Sequence, residues 1–134
     1  MELSRLTAIP FFTGLDEADL ALIADAASEL EAAAGDELVT EGDFGHALYA
    51  IETGTAEVVA GGSRLATLGS GDVFGEVAVV ASGRRTATVR ATSPMRLIVL
   101  FKRDVWALER RDPAAANRLR ELIAERRPAS SASS

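Results

Sequence analysis

From Leu30 to Leu100 the chain is cut into short apolar runs, each closed by a turn, and this punctuation constrains the fold more than any other feature. The runs fall at 37–39, 48–51, 56–60, 64–68, 86–91 and 96–100. The turns are Gly35-Asp36, Gly42-Asp43, Gly54, Gly61-Gly62, Gly69-Ser70-Gly71-Asp72 and Ser93-Pro94. Short strands separated by glycine turns at this spacing predict a sandwich or barrel. On either side the period changes. Asp16 is placed to cap a helix over 17–28, whose buried face is Leu20, Ile23, Ala24 and Ala27. A second helix is expected over 103–111. A third runs over 114–127, with Asp112 as cap and Pro113 in its first turn. Arg127-Pro128 should stop it, and the Ser/Ala/Pro tail over 128–134 should be disordered. Residues 1–127 then form one domain, with no internal repeat.

The chain has 134 residues and is 48% hydrophobic, enough for one globular core that buries roughly two-thirds of the unfolded surface. It has no cysteine, so disulfides, thiol nucleophiles and thiolate metal sites are excluded. His46 is the only histidine. It lies in a loop and by itself cannot fill the coordination sphere of a metal-dependent jelly-roll enzyme or support histidine acid–base chemistry. No catalytic or metal-ligating residue is therefore assigned. No signal peptide and no apolar run of about 18 residues is visible, so the expected location is cytoplasmic, without membrane contact. The net charge of −6 is unevenly spread. Residues 1–83 hold 2 basic and 15 acidic side chains (−13), and residues 84–134 hold 12 basic and 5 acidic ones (+7). Such a division reads as solvated faces, or as a basic end around an anion or facing an acidic partner. The basic residues are dispersed, so nucleic acid is not expected as a partner. Tyr49 and Trp106 are expected to be core aromatics with one polar edge exposed. Val89 and one of Val58 and Val59 should point inward.

The chemistry concentrates in Phe74-Gly75-Glu76-Val77-Ala78-Val79, followed by Arg85-Thr86-Ala87-Thr88-Val89. Gly75 allows close approach of a ligand to the backbone. Residues 76–80 can start a turn of helix, whose free N–H groups suit a phosphate. Arg85 adds a permanent charge and a bidentate fork. Glu76 would repel phosphate but can accept from a sugar hydroxyl. Donors and acceptor together suit a sugar phosphate better than bare phosphate.

At these residues the chain resembles the cyclic nucleotide-binding domain family. That family's phosphate cassette runs apolar-Gly-Glu-x-small-apolar, then a spacer, then Arg-(Ser/Thr/Ala)-Ala-x-apolar. A second family pattern lies in Leu38-Val39-Thr40-Glu41-Gly42-Asp43-Phe44-Gly45, Leu48-Tyr49-Ala50-Ile51 and Gly54. Its one departure is Ala50, where a larger apolar residue is usual. The approach to the cassette, from Leu68 to Glu76, also fits, and the resemblance spans about 6–122. It implies a mainly β fold, an eight-stranded β-roll of jelly-roll type with flanking N-terminal and C-terminal helices. It further implies that Gly75 and the amides of Val77, Ala78 and Ala87 line a cyclic phosphate. Arg85 would pair with an exocyclic oxygen, Glu76 would accept from the ribose 2′-hydroxyl, and Thr86 would meet phosphate or base. Arg84 stands where many members have proline, and should point to solvent.

The resulting expectation is a non-enzymatic, stand-alone sensor with no cofactor. Its ligand would be cyclic AMP (cAMP), with cyclic GMP possible, and occupancy would pass through the C-terminal helices to a protein partner or a homodimer. A degenerate member that docks partners or dimerises without nucleotide is the alternative. Leu119, Leu122 and Ile123 make an apolar stripe on the last helix. That stripe is either a lid, aided by Arg118, Arg120 or Arg126, or a packing or dimer seam.

Overall fold

The computed structural model describes residues 1–42, 45–75 and 85–130, with side chains as far as residue 124 in the last of these. The N-terminal part comprises α1 (Leu3–Thr7), a 3₁₀ turn (Pro10–Gly14) and α2 (Glu17–Ala26). Eight strands follow among the described residues: β1 (Ser28–Ala32), β2 (Glu37–Val39), β3 (Ala47–Thr53), β4 (Ala56–Ala60), β5 (Ser63–Leu68), β6 (Val73–Phe74), β7 (Thr88–Ala91) and β8 (Met95–Phe101). They are succeeded by α3 (Lys102–Arg111) and α4 (Pro113–Ser130).

The strands form two four-stranded sheets, ordered β1-β8-β3-β6 and β2-β7-β4-β5, with antiparallel pairing throughout. This is the mainly β, eight-stranded roll with flanking helices that the family resemblance implies, within the sandwich-or-barrel class that the turn pattern predicts. Chain halves interleave: β1 pairs with β8, and β2 with β7. The first sheet is covered on both faces. Leu48, Ala50, Val73, Ile98 and Leu100 join a core with the helices, including Leu6, Phe12, Ile23, Val105, Leu119 and Ile123. Ile51, Phe74, Met95 and Leu97 face the second sheet, where Val58, Ala87 and Val89 meet them. Burial on both faces explains why β3 and β8 read as nearly continuous apolar runs rather than alternating ones. Val58 is the inward residue of the Val58/Val59 pair.

Local signals set several boundaries. The Asp16 carboxylate accepts from the Asp19 N–H at 2.9 Å and starts α2. The Asp112 N–H closes α3 on the Leu108 carbonyl at 2.8 Å, and its carboxylate accepts from the Ala115 N–H at 3.1 Å. One residue thus ends one helix and begins the next. Gly61 and Gly62, at φ of 58° and 82°, supply the tight turn of the β4–β5 hairpin.

Four expectations are corrected, and one strand, β1, is one that the run pattern does not mark. The helix expected over 17–28 ends at Ala26, because Ser28 enters β1 opposite Val99. β1 carries no alternation, since only Ala32 of its five residues is buried. The strand expected over 86–91 begins at Thr88. The last helix continues through Pro128 to Ser130 instead of stopping at Arg127. A proline removes one i→i−4 bond without forbidding the turn that follows. Trp106 is not a core residue but 50% exposed, because Val105 and Leu108 define the buried face of α3.

Candidate functional site

Among the described residues three polar or charged ones are buried: Asp19, Arg85 and Thr88. Two of them lie on the segment leading into β7. Arg85 is 7% exposed. Its Nη2 donates to the Ala47 carbonyl at 3.0 Å, and its own carbonyl accepts from the Gly42 N–H at 2.9 Å. The first bond sets the guanidinium against the start of β3, and the second pins the loop between β2 and β3. The Thr88 hydroxyl accepts from the Glu41 N–H at 2.9 Å, and the Glu41 carboxylate accepts from the Gly61 N–H at 3.2 Å. Glu41 therefore ties that loop to the β4–β5 turn. A buried cation is costly unless its donors are met, so the position of Arg85 is built rather than incidental.

Gly75 follows β6 and is held in place by the Tyr49–Phe74 pairing of β3 with β6. Its φ is 76°. A Cβ there would lie 2.7 Å from the Ala47 oxygen and 3.0 and 3.1 Å from Arg85 Nη2 and Nη1. The guanidinium thus rests on the glycine α-carbon, and no side chain fits between them. The Tyr49 ring stacks on Phe74, with centroids 4.9 Å apart and planes within 8°. Burial pushes the Tyr49 phenol above its ordinary range, while the nearby positive charge of Arg85 draws it back. Tyr49 is thus neutral around pH 7 and borders the cation.

Of the residues that sequence reasoning singled out, Gly75 and Arg85 are in direct apposition. Ala87 is buried in the interior between the sheets, and Thr86 beside it is exposed. Glu76, Val77, Ala78 and Arg84 lie outside the described residues. Sequence reasoning missed Ala47 and Glu41. The Ala47 contribution is a backbone carbonyl, which leaves no residue signature. Glu41 sits inside the Leu38–Gly45 motif and was legible as a motif member, but not as a link between loops.

Two cavities, of about 270 and 490 Å³, share Arg5 and Glu52 and lie on the α1 side. Neither is lined by Gly75, Arg85, Thr86 or Ala87. Arg5 fills that corner with a two-bond contact to Glu52 and an ion pair to Glu29. Among the described residues no three His, Cys, Asp or Glu side chains converge as metal ligands. No helix among them is long and apolar enough to cross a membrane.

The stripe on α4 has a clear location. Leu119 and Ile123 are fully buried in the helical layer, and Leu122 packs on Gly14. Arg118 holds Asp19 of α2 through Nε–Oδ2 at 2.5 Å and Nη2–Oδ1 at 2.7 Å, and Arg120 pairs with Glu109. In this arrangement the stripe is a packing seam, and two of the three arginines considered for a lid are engaged elsewhere.

Comparison with known proteins places this geometry in context. The family described as "Cyclic nucleotide-binding domain" matches residues 29–112. The cAMP-dependent protein kinase regulatory subunit of Schizosaccharomyces pombe is 38% identical over 100 residues, covering 74% of this chain and 24% of that protein. The Cyclic AMP receptor protein of Thermus thermophilus is 37% identical over 97 residues, covering 69% of this chain and 45% of that protein. The chain therefore spans less than half the length of these relatives. A crystal structure of the N-terminal domain of a transcriptional regulator from Streptomyces coelicolor A3(2) superposes with a TM-score of 0.80 at 28% identity, covering 97% of this chain and 93% of that one.

Proposed function

We propose that this chain, which belongs to the cyclic nucleotide-binding domain family, is a regulatory sensor that binds a 3′,5′-cyclic nucleotide at Gly75 and Arg85. Cyclic AMP is the first candidate and cyclic GMP the alternative. The observation that carries this reading is the buried Arg85 guanidinium, laid directly on the α-carbon of a glycine at positive φ. A permanent, fork-shaped cation beside a backbone stripped of Cβ suits the exocyclic oxygens of a compact phosphate diester. The amides of Val77, Ala78 and Ala87 would complete the phosphate cradle. Glu76 would accept from the ribose 2′-hydroxyl, and exposed Thr86 is free to meet phosphate or base. The relatives' printed names, a kinase regulatory subunit and a cyclic AMP receptor, support a binding role over an enzymatic one.

Residues 1–127 would act as one domain whose occupancy is read through its C-terminal helices. The route begins at Ala47, whose carbonyl accepts from Arg85. The adjacent His46 carbonyl accepts from the Lys102 N–H at 2.8 Å, and Lys102 is the first residue of α3. A phosphate that draws on Arg85 therefore perturbs the backbone anchoring α3, and ligand shifts the balance between two helix arrangements.

Calorimetric titration tests this with cyclic AMP, cyclic GMP, 5′-AMP and 2′-deoxy cyclic AMP in parallel. Cyclic nucleotide should bind more tightly than 5′-AMP, and the 2′-deoxy analogue should bind more weakly if Glu76 reads the hydroxyl. Arg85→Ala should lose about 2–4 kcal/mol of binding, as truncating one partner of a buried charged pair does. Arg85→Lys should recover only part, because the fork is lost. Unchanged affinity in Arg85→Ala would remove the site assignment. A folded wild type that binds none of the four would leave the second reading, a partner-docking module without nucleotide.

A further inference from the structure

The helix α3 presents a face that the core does not use. At about 100° per residue, Lys102, Arg103, Trp106 and Arg110 fall within about a 100° arc. Trp106 is half-exposed, the most exposed large hydrophobic side chain among the described residues. The Lys102 ammonium lies 5.5 Å from the centroid of its ring, and the Arg103 guanidinium lies 4.9 Å from that of Phe101. Among the described residues no carboxylate pairs with Lys102, Arg103 or Arg110. Both acids of α3 are occupied. Asp104 accepts from the Phe101 N–H at 3.1 Å, and Glu109 pairs with Arg120. The face is therefore cationic around a large apolar ring, on a chain whose net charge is −6.

We propose that this face of α3 docks a short acidic segment of a partner protein, one that carries an apolar side chain to lie on Trp106. Charge complementarity selects the sign of the partner, and the exposed ring supplies the anchor such a contact needs. The extent of the patch selects a short segment. A nucleic-acid backbone or an anionic membrane would extend beyond these three cations over a chain whose net charge is −6, where the net field repels it. A peptide confined to the α3 face avoids that field. Docking stands on the free protein and does not depend on the nucleotide reading.

Trp106 is the only tryptophan in the chain, so its fluorescence reports the contact directly. A short synthetic peptide of Glu and Leu is titrated into the intact protein, with a Lys/Leu peptide, a single-stranded RNA oligonucleotide and phosphatidylserine vesicles as parallel arms. The Glu/Leu peptide should saturate the signal and weaken as salt is raised. By calorimetry, Trp106→Ala should bind about 30-fold more weakly, the scale of an aromatic anchor. The triple reversal Lys102→Glu, Arg103→Glu, Arg110→Glu should abolish binding. Arg111→Glu, about 80° outside this arc, should leave it unchanged, and circular dichroism should find each variant folded. Absence of saturable peptide binding would overturn the proposal. So would binding insensitive to Trp106→Ala, or a response to RNA or vesicles alone.

Discussion

Gly75 and Arg85 constrain each other, and this mutual fit is the sharpest feature at the residue scale. The glycine is at positive φ with a carbonyl and a guanidinium where a Cβ would project. Gly75→Ala is expected to cost about 1–3 kcal/mol from backbone strain, besides displacing Arg85. Denaturant unfolding reads the first effect. Calorimetric titration reads the second as weakened nucleotide binding in the fraction that remains folded. If Gly75→Ala matches the wild type in both, the close apposition has no energetic weight. Thr88 and Glu41 act beside this pair as supports, because their bonds run to backbone groups of neighbouring loops.

At the scale of elements, the most informative contact is the clamp of α4 onto α2. The Asp19 carboxylate is 2% exposed, and the Arg118 guanidinium holds it well below the usual carboxylate range. A carboxyl group whose folded pKa is depressed stabilises the fold above its unfolded pKa and loses that contribution as pH falls through the folded one. The ordinary value is 3.8, so the clamp is intact at neutral pH and weakens below about pH 4. Asp19→Asn should therefore unfold at lower urea than the wild type at pH 7, and the gap should narrow as pH drops below about 4. A gap that stays constant with pH would show that the ion pair contributes nothing beyond side-chain packing. Arg5 lowers the Glu52 carboxyl in the same way, so the wild type and Asp19→Asn should both retain some acid sensitivity. The clamp also bears on the proposed signalling: freeing α4 would require parting Arg118 from Asp19 and lifting Leu122 from Gly14.

On the scale of the whole molecule, helices, one sheet and a second sheet lie in sequence, with Arg85 buried beside the start of β3 in the inner sheet. A ligand that binds this folded form and not the unfolded chain stabilises all layers together. At 100 times its dissociation constant, cyclic AMP should add about 2.7 kcal/mol, on the order of 10 °C in Tm. Arg85→Ala should remove the shift, and a shift that survives would place the ligand elsewhere. Much of this was legible in the residues. Glycine turns and short apolar runs indicated a sandwich or barrel, because turn chemistry and strand length are local properties. Asp16 and Asp112 marked helix starts for the same reason, and the residues around Gly75 and Arg85 marked the candidate site. Tertiary structure decided what depends on partners distant in sequence. β1 has no alternation of its own and is a strand only because β8 offers it a ladder. The acidic first half and basic second half meet in pairs such as Arg90 with Glu37 and Glu57, because the sheets interleave the halves, and Arg118 with Asp19, because α4 packs on α2. Trp106 faces outward because Val105 and Leu108 claimed the core side of α3. The Ala47 carbonyl joins the candidate site because the fold sets it beside Arg85, and a backbone oxygen carries no sequence signal until the fold positions it.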